Sequence, residues 1–501
     1  MKNIYKIVNV FAVSVLLFYS CETKRSDDNT DHRGSTTFSD VDKMDLCDPR
    51  NESYRIKVLK LPSPENIPGS SDSAKLVPFL QQGVDKLSWI IFIALNWPAN
   101  DNGSPDSTLC FGQKDGITVW EHWMPGSQLF PKEDDTVLTT WQYGLTKQGH
   151  PKNSDAAPSF SFMKLSDFDE FNPDRQRVPN VHGDNTLYEI FYNKKVYDYV
   201  RKGGLATVKG QKEFIKKWPR QSDGVFLIDS LSGDTVSFEA RDERVYLPIG
   251  VSNDSVFSYQ YIDRNSQSLQ LRNGFLHYKA NIGAMAVKSA WTVLTSKEKV
   301  EKYHTRKVIL DGKQVTLGLV ALHFAHKIAE APRWVWSTFE HIDNAPLLGK
   351  NGLAELEPGK DYLYFNRQFN DSATYNKPPK EGSNSGKVQI VRLQERTKEL
   401  DDLNAQYHKI IQRANNNSVW LNYRLVGTQW PFNNPDPLTI VGGPGDTRPA
   451  IMANALMETY HQSTSSCMGC HQKARFLKTN EHQNGFFADF MWGIANVGQP
   501  K

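Results

Sequence analysis

Apolar and polar positions along this 501-residue chain change period several times, and each change marks an element. Starting at Ser71-Asp72-Ser73, the residues Leu76, Phe79, Leu80, Val84, Leu87, Trp89, Ile90 and Ile91 predict a helix with a serine or aspartate N-cap, which Trp97-Pro98 and Asn100-Asp101-Asn102-Gly103 end. Leu187, Ile190, Phe191, Val196, Tyr197 and Val200 recur at spacings of three and four and predict helix over 185–217, interrupted at Gly203-Gly204. Beyond Gly224 the pattern turns to short β-type runs. Near alternation over 282–291, 315–327 and 333–342 then predicts three strands, with a turn at Asp311-Gly312 and a connection at Glu330-Ala331-Pro332 joining antiparallel neighbours. Leu400, Leu403, Tyr407, Ile410 and Ile411 predict a charged helix within 388–415. A second helix should open at Thr447-Arg448-Pro449, with Ile451, Met452, Ala455, Leu456, Thr459 and Tyr460 on one face.

These elements do not alternate as βαβ units would, so the expected fold class is α+β. It has a mainly helical N-terminal part over 52–220, a β-rich antiparallel middle over 221–390, and a C-terminal region over 391–501 that ends in a short helical segment. No internal repeat is visible.

The first residues are of another kind. Met1 to Lys6 form a basic start and Ile7 to Tyr19 an apolar run of 13 residues, too short to span a bilayer comfortably. A small residue, Ser20, precedes Cys21, as in a bacterial lipoprotein signal in which the cysteine becomes the lipidated first residue. The alternative is an ordinary signal cleaved nearby. Residues 1–21 are thus expected to be removed or processed, and residues 22–51, rich in Ser, Asp and Thr, to form a flexible tether. The expected location is exported, periplasmic or outer-membrane, with the cell surface as an alternative, and the membrane reached through the lipid.

Net charge adds one exclusion. The formal value is +3, spread along the chain, which gives no basis for a nucleic-acid partner.

The chemistry-bearing stretch is Cys467-Met468-Gly469-Cys470-His471, the C-x-x-C-H attachment pattern of a c-type haem. Two thiols one helical turn apart suit two thioether bonds on one porphyrin edge, and the adjacent imidazole suits the proximal iron position. Cys467 and Cys470 are therefore the expected covalent anchors of a single haem c, and His471 the proximal iron ligand. A C-x-x-C pair is also half a zinc site or a thioredoxin-like pair. Zinc needs four ligands and the chain has no second C-x-x-C, while a thioredoxin-like pair belongs after a strand in a βαβ unit. Of five cysteines, lipidation and haem account for three. In an oxidising compartment the remaining Cys47 and Cys110 are expected to pair, closing about 62 residues and contributing ~3–4 kcal/mol on the loop-entropy model.

Leu456-Met457-Glu458-Thr459-Tyr460 before the attachment pattern and Ala488-Asp489-Phe490 after it resemble a family of large bacterial cytochrome c family proteins. So do Phe92-Ile93-Ala94-Leu95-Asn96-Trp97-Pro98 and Trp334-Val335-Trp336-Ser337-Thr338-Phe339-Glu340-His341. The resemblance implies one covalent haem, export and electron transfer.

Only 30 residues follow His471, too few to enclose a haem, so the upstream body must cover it. A sixth iron ligand should come from that body or be absent. His326 and His341 are the favoured candidates, ahead of Met452, Met457, Met491, His461 and His482; His323, three residues from His326, should point to the opposite face of its strand. Three functions stay open: an electron-transfer cytochrome working with a redox partner protein or a small electron donor or acceptor, a haem enzyme of peroxidase or oxidase type with an open distal position, and a haem-based binding or sensory protein.

Overall fold

An antiparallel sheet organises the chain. The computed structural model describes residues 44–47, 73–100, 102–113, 116–130, 141, 161–163, 177–217, 227–229, 235–237, 245, 247–248, 258–263, 268–273, 283–295, 300–328, 331–379, 389–431, 447–477 and 485–498. The signal segment with Cys21 lies outside them, as does most of the expected tether.

The sheet's strands are β1 (Met124–Pro125), β2 (Ser161–Met163), β3 (Leu187–Tyr192), β4 (Met285–Leu294), β5 (Thr305–Leu310), β6 (Lys313–Ile328), β7 (Ala331–His341), β8 (Tyr423–Pro431) and β9 (Thr447–Arg448). They lie in the order β1-β3-β4-β6-β7-β8-β9, with β5 beside the first part of β6 and β2 beside β5. Every pairing is antiparallel except β2 with β5. The fold is α+β. Its strands come from all three expected regions, and residues Asp42–Lys501 form one compact unit, so the boundaries near 220 and 390 cross a shared core.

The strong alternation of the middle block appears as β4, β6 and β7. Asp311 and Gly312, at φ 46° and 80°, make the two-residue turn between β5 and β6, where both positions require the left-handed region. Among the described residues no helix is long and apolar enough to cross a membrane.

Register assigns each side chain a face. Phe324 pairs with Ser337 and His326 with Val335, whereas His323 pairs with Thr338 and Ala325 with Trp336. Directly opposed residues share a face and consecutive ones alternate. The Phe324 face meets helix α1 (Ser73–Leu95). There Phe92 stacks on Phe339 at 4.1 Å, and Ser88 bridges Ser337 and Thr428 through hydroxyl contacts of 2.7 Å each. Trp89 of α1 stacks in turn on Tyr407 at 5.0 Å, which brings in the charged helix over Lys398–Ala414, capped by Thr397. The His323 face meets the C-terminal segment: Asn454 Nδ2 donates to Thr338 Oγ1 at 2.9 Å.

Three local expectations need correction. Residues 187–192 are strand β3 rather than helix. Their spacing of three and four arises because the sheet is covered on both faces, so buried positions do not alternate strictly (Tyr188, Glu189, Phe191 and Tyr192 are all buried). Helix begins only at Lys194–Gly203, capped by Asn193, whose side chain accepts from Val196 N, and ends at Gly204 with φ 66°.

Residues 451–465 form turns and irregular backbone, not the expected helix. Asn454 competes there with helical bonding: its Oδ1 accepts from Leu456 N, while Glu458 Oε2 accepts from Asn454 N. Finally, 44–47 is a docked piece of the expected tether. Leu46 is buried, its carbonyl accepts from Phe111 N at 2.7 Å, and Cys47 is disulfide-bonded to Cys110.

Candidate functional site

The C-x-x-C-H stretch is itself a short helix, Cys467–His471, whose N-cap Ser466 accepts from Gly469 N. The sheet holds its start. Gln429 on β8 accepts from Met468 N at 2.9 Å and donates to Pro449 O at 2.8 Å, so one buried amide fixes both the helix and the strand leading to it. Cys467 is buried and Cys470 exposed, and both are free thiols. Burial pushes both thiols up, Cys467 well above the ordinary range. Among the described residues, no group of three or more His, Cys, Asp or Glu side chains is arranged to hold a bare metal ion, so the pair has no neighbours to complete a zinc set.

His471 projects from the helix end toward the sheet, its ring 4.2 Å from that of Trp336. Nδ1 lies 2.8 Å from the Phe490 carbonyl. A carbonyl only accepts, so Nδ1 carries the proton and Nε2 keeps its lone pair for a metal. Burial pulls His471 down to about 4, which keeps the imidazole in its neutral, ligating form at neutral pH.

Beside His471 lies an open-mouthed cleft with a volume of about 80 Å³. Its floor follows from register. Tyr192 pairs with Ala286, Ala286 with Ala325, and Ala325 with Trp336, so one row across four strands reads aromatic, alanine, alanine, aromatic. Two small residues between two rings make a shallow trough between the aromatic side chains. The adjacent row places Ile190, Lys288 and His323 side by side; Trp334, Met491 and Trp492 also line the cleft.

The residue types are those of a covalent haem site. His471 and a second imidazole line the cleft, and the two thiols sit on the short helix of His471 without lining it. The second imidazole belongs to His323. Its Nε2 is buried with no hydrogen-bond partner and lies 3.8 Å from Glu458 Oε2. Burial, then Lys288, then His471 pull its pKa well below the ordinary histidine value.

The two favoured sixth-ligand candidates are placed elsewhere. His326 sits on the opposite, α1-covered face, as the pairing of β6 with β7 requires. It is buried, with neither ring nitrogen hydrogen-bonded. His341 stacks on Tyr303 at 3.9 Å, and both its nitrogens are engaged, Nε2 with Lys302 O and Nδ1 with Asp343 N. Of the other candidates, Met491 lines the cleft, whereas Met457 packs in a separate core with Tyr188 and Leu456; His482 lies outside the described residues.

Sequence reasoning also missed the groups behind the proximal side. Lys327 and Asp489, both fully buried, form an ion pair at 2.5 Å, and Trp334 Nε1 donates to Asp489 O at 3.1 Å. A lysine at the end of an apolar strand was the available signal; its partner, 162 residues away, was not readable. Compared with protein-family models, with curated proteins and with solved structures, the chain finds no match.

Proposed function

We propose that the chain is an exported monohaem c-type cytochrome that transfers electrons through one haem bound covalently at Cys467 and Cys470. The observation that carries this reading is the hydrogen bond from His471 Nδ1 to Phe490 O, which leaves the Nε2 lone pair on a cleft-lining ring that adjoins the two thiols in its short helix. The resemblance to large bacterial cytochrome c family proteins points the same way. A bound haem supplies reversible one-electron iron chemistry. The chain's own residues anchor it, exclude water with Tyr192, Trp334 and Trp336, and hold His471 neutral.

His323 is the proposed sixth ligand, replacing His326 and His341. It faces the cleft, its Nε2 lacks a hydrogen-bond partner, and it is already neutral at physiological pH. Two imidazoles on one iron leave no position for substrate, and this favours electron cycling with a redox partner protein or a small donor or acceptor. Cys21 is the proposed lipid anchor to the membrane. Glu458 and Lys288 beside His323 favour a second reading, a haem enzyme of peroxidase or oxidase type, because they supply proton-transfer groups on the side facing His471.

Covalent attachment is the first test. Protein purified from a host with cytochrome c maturation machinery, then denatured, should retain one haem per chain in its absorption spectrum and mass. A chain without haem from such a host contradicts the reading.

A further inference from the structure

The Phe490 carbonyl that meets His471 is held in place by an unusual backbone. Asp489 and Phe490 are consecutive non-glycine residues in the left-handed region, at φ 47° and 64°, and Trp334 on β7 has φ 89°. Such conformations are costly for residues with a side chain and persist only where surrounding contacts enforce them. Here the three strained residues are joined. Trp334 Nε1 donates to Asp489 O at 3.1 Å, and Asp489 Oδ2 accepts from Lys327 Nζ at 2.5 Å and from Leu247 N at 2.6 Å. Lys327 and Asp489 side chains are both 0 % exposed. Asp489 Oδ1 has no partner, so the carboxylate is held through one oxygen only.

We propose that Lys327, Asp489 and Trp334 are a clamp on the proximal ligand: they fix the Phe490 carbonyl against His471 Nδ1 and thereby set the haem's reduction potential. This rests on the haem reading above. The physical link is ligand basicity. A firmly held carbonyl draws the Nδ1 proton, makes the imidazole a stronger electron donor, and favours ferric iron. Loosening the carbonyl should weaken that bond and raise the potential. Lys327 and Asp489 are not among the cleft-lining residues, whereas Trp334 also lines the cleft; all three act on His471 through the Phe490 carbonyl and are positioning residues.

The test uses the full-length, haem-loaded protein. Lys327→Met combined with Asp489→Asn removes both charges together, so net charge is unchanged and no buried charge is left alone. The double variant should keep its covalent haem, raise the midpoint potential by a shift equivalent to a tenfold change in the reduction equilibrium or more, about 59 mV for one electron, and speed solvent exchange of the His471 Nδ1 proton in NMR spectra of the reduced protein. Glu189→Gln, in the buried pair with Arg306 on the sheet face opposite the cleft-lining Ile190, is the control for general destabilisation and should lower the melting temperature without moving the potential. Trp334→Phe keeps an aromatic ring in the cleft wall and deletes the donor to Asp489, so it serves if the double variant does not accumulate; proton exchange, which a changed cleft wall alone would not speed, is then the deciding readout and should shift in the same direction by less. Haem-loaded variants with wild-type potential and wild-type proton exchange overturn the clamp alone. An equal potential shift in Glu189→Gln overturns it as well. A wild-type chain that carries no haem overturns the underlying reading, and the clamp with it.

Discussion

Asp85 provides a stability prediction whose sign and size follow from its surroundings. It lies on α1, 6 % exposed, with Gln81 Nε2 donating to its Oδ1 at 3.1 Å and a further side-chain hydrogen bond to Thr428. Burial raises its carboxyl from the ordinary 3.8 to about 7, and the two hydrogen bonds offset only part of that rise. Between about pH 4 and pH 7 the unfolded chain has released this proton while the folded chain still holds it. The native state then binds more protons, so this group's contribution is fully present below pH 4, is lost as pH rises through 7, and is flat above that. About three pH units at 1.36 kcal/mol each set an upper limit of roughly 4 kcal/mol. Asp85→Asn mimics the protonated acid: its carbonyl still accepts from Gln81 and its amide can donate toward Thr428. Urea unfolding followed by tryptophan fluorescence should give equal stabilities for the two proteins near pH 4. By pH 8 the variant should be more stable by up to that limit. A difference independent of pH, or a variant less stable than wild type at pH 8, would refute the reasoning.

The remaining predictions concern the covalent framework. Cys47→Ser with Cys110→Ser opens a loop with a sequence separation of 63 and should cost about 4 kcal/mol on the loop-entropy model, measured by urea unfolding; unreduced peptide maps of the wild type should join the two segments. Cys467→Ser or Cys470→Ser should leave haem attached by one thioether in reduced yield, and the double change should abolish attachment, read from the haem absorbance of denatured protein. Cys21→Ala should move the protein out of the membrane fraction or stop its maturation, seen by fractionation and by the mass of the N-terminal peptide; an unchanged distribution would indicate an ordinary cleaved signal.

Legibility in the sequence followed local physics. Strands β4, β6 and β7 were visible because their alternation is strong, and α1 because its apolar positions keep one helical stripe up to Trp97-Pro98. Residues 187–192 misled because a strand buried on both faces loses its two-residue period. The attachment stretch carries its chemistry in adjacent residues and needed no fold to be recognised. His323 required the fold. Alternation already separated it from His326, but which face meets the C-terminal segment is decided by long-range contacts such as Asn454 with Thr338. His341 looked suitable as a histidine on a neighbouring strand, yet both its ring nitrogens are engaged, one by Asp343 two residues on and the other by Lys302, 39 residues away. The trough depends on the register that sets Ala286 opposite Ala325, and register is a property of paired strands rather than of either one alone.

A haem proposed to be held between His471 and His323 is decided by the optical spectrum of the purified ferric and ferrous protein, recorded with and without carbon monoxide. The wild type should be low-spin in both states and indifferent to carbon monoxide. His323→Ala should turn high-spin and bind the gas, whereas His326→Ala and His341→Ala should leave the spectrum unchanged. A high-spin wild type that binds carbon monoxide rapidly, or a His323→Ala protein indistinguishable from wild type, would contradict the claim.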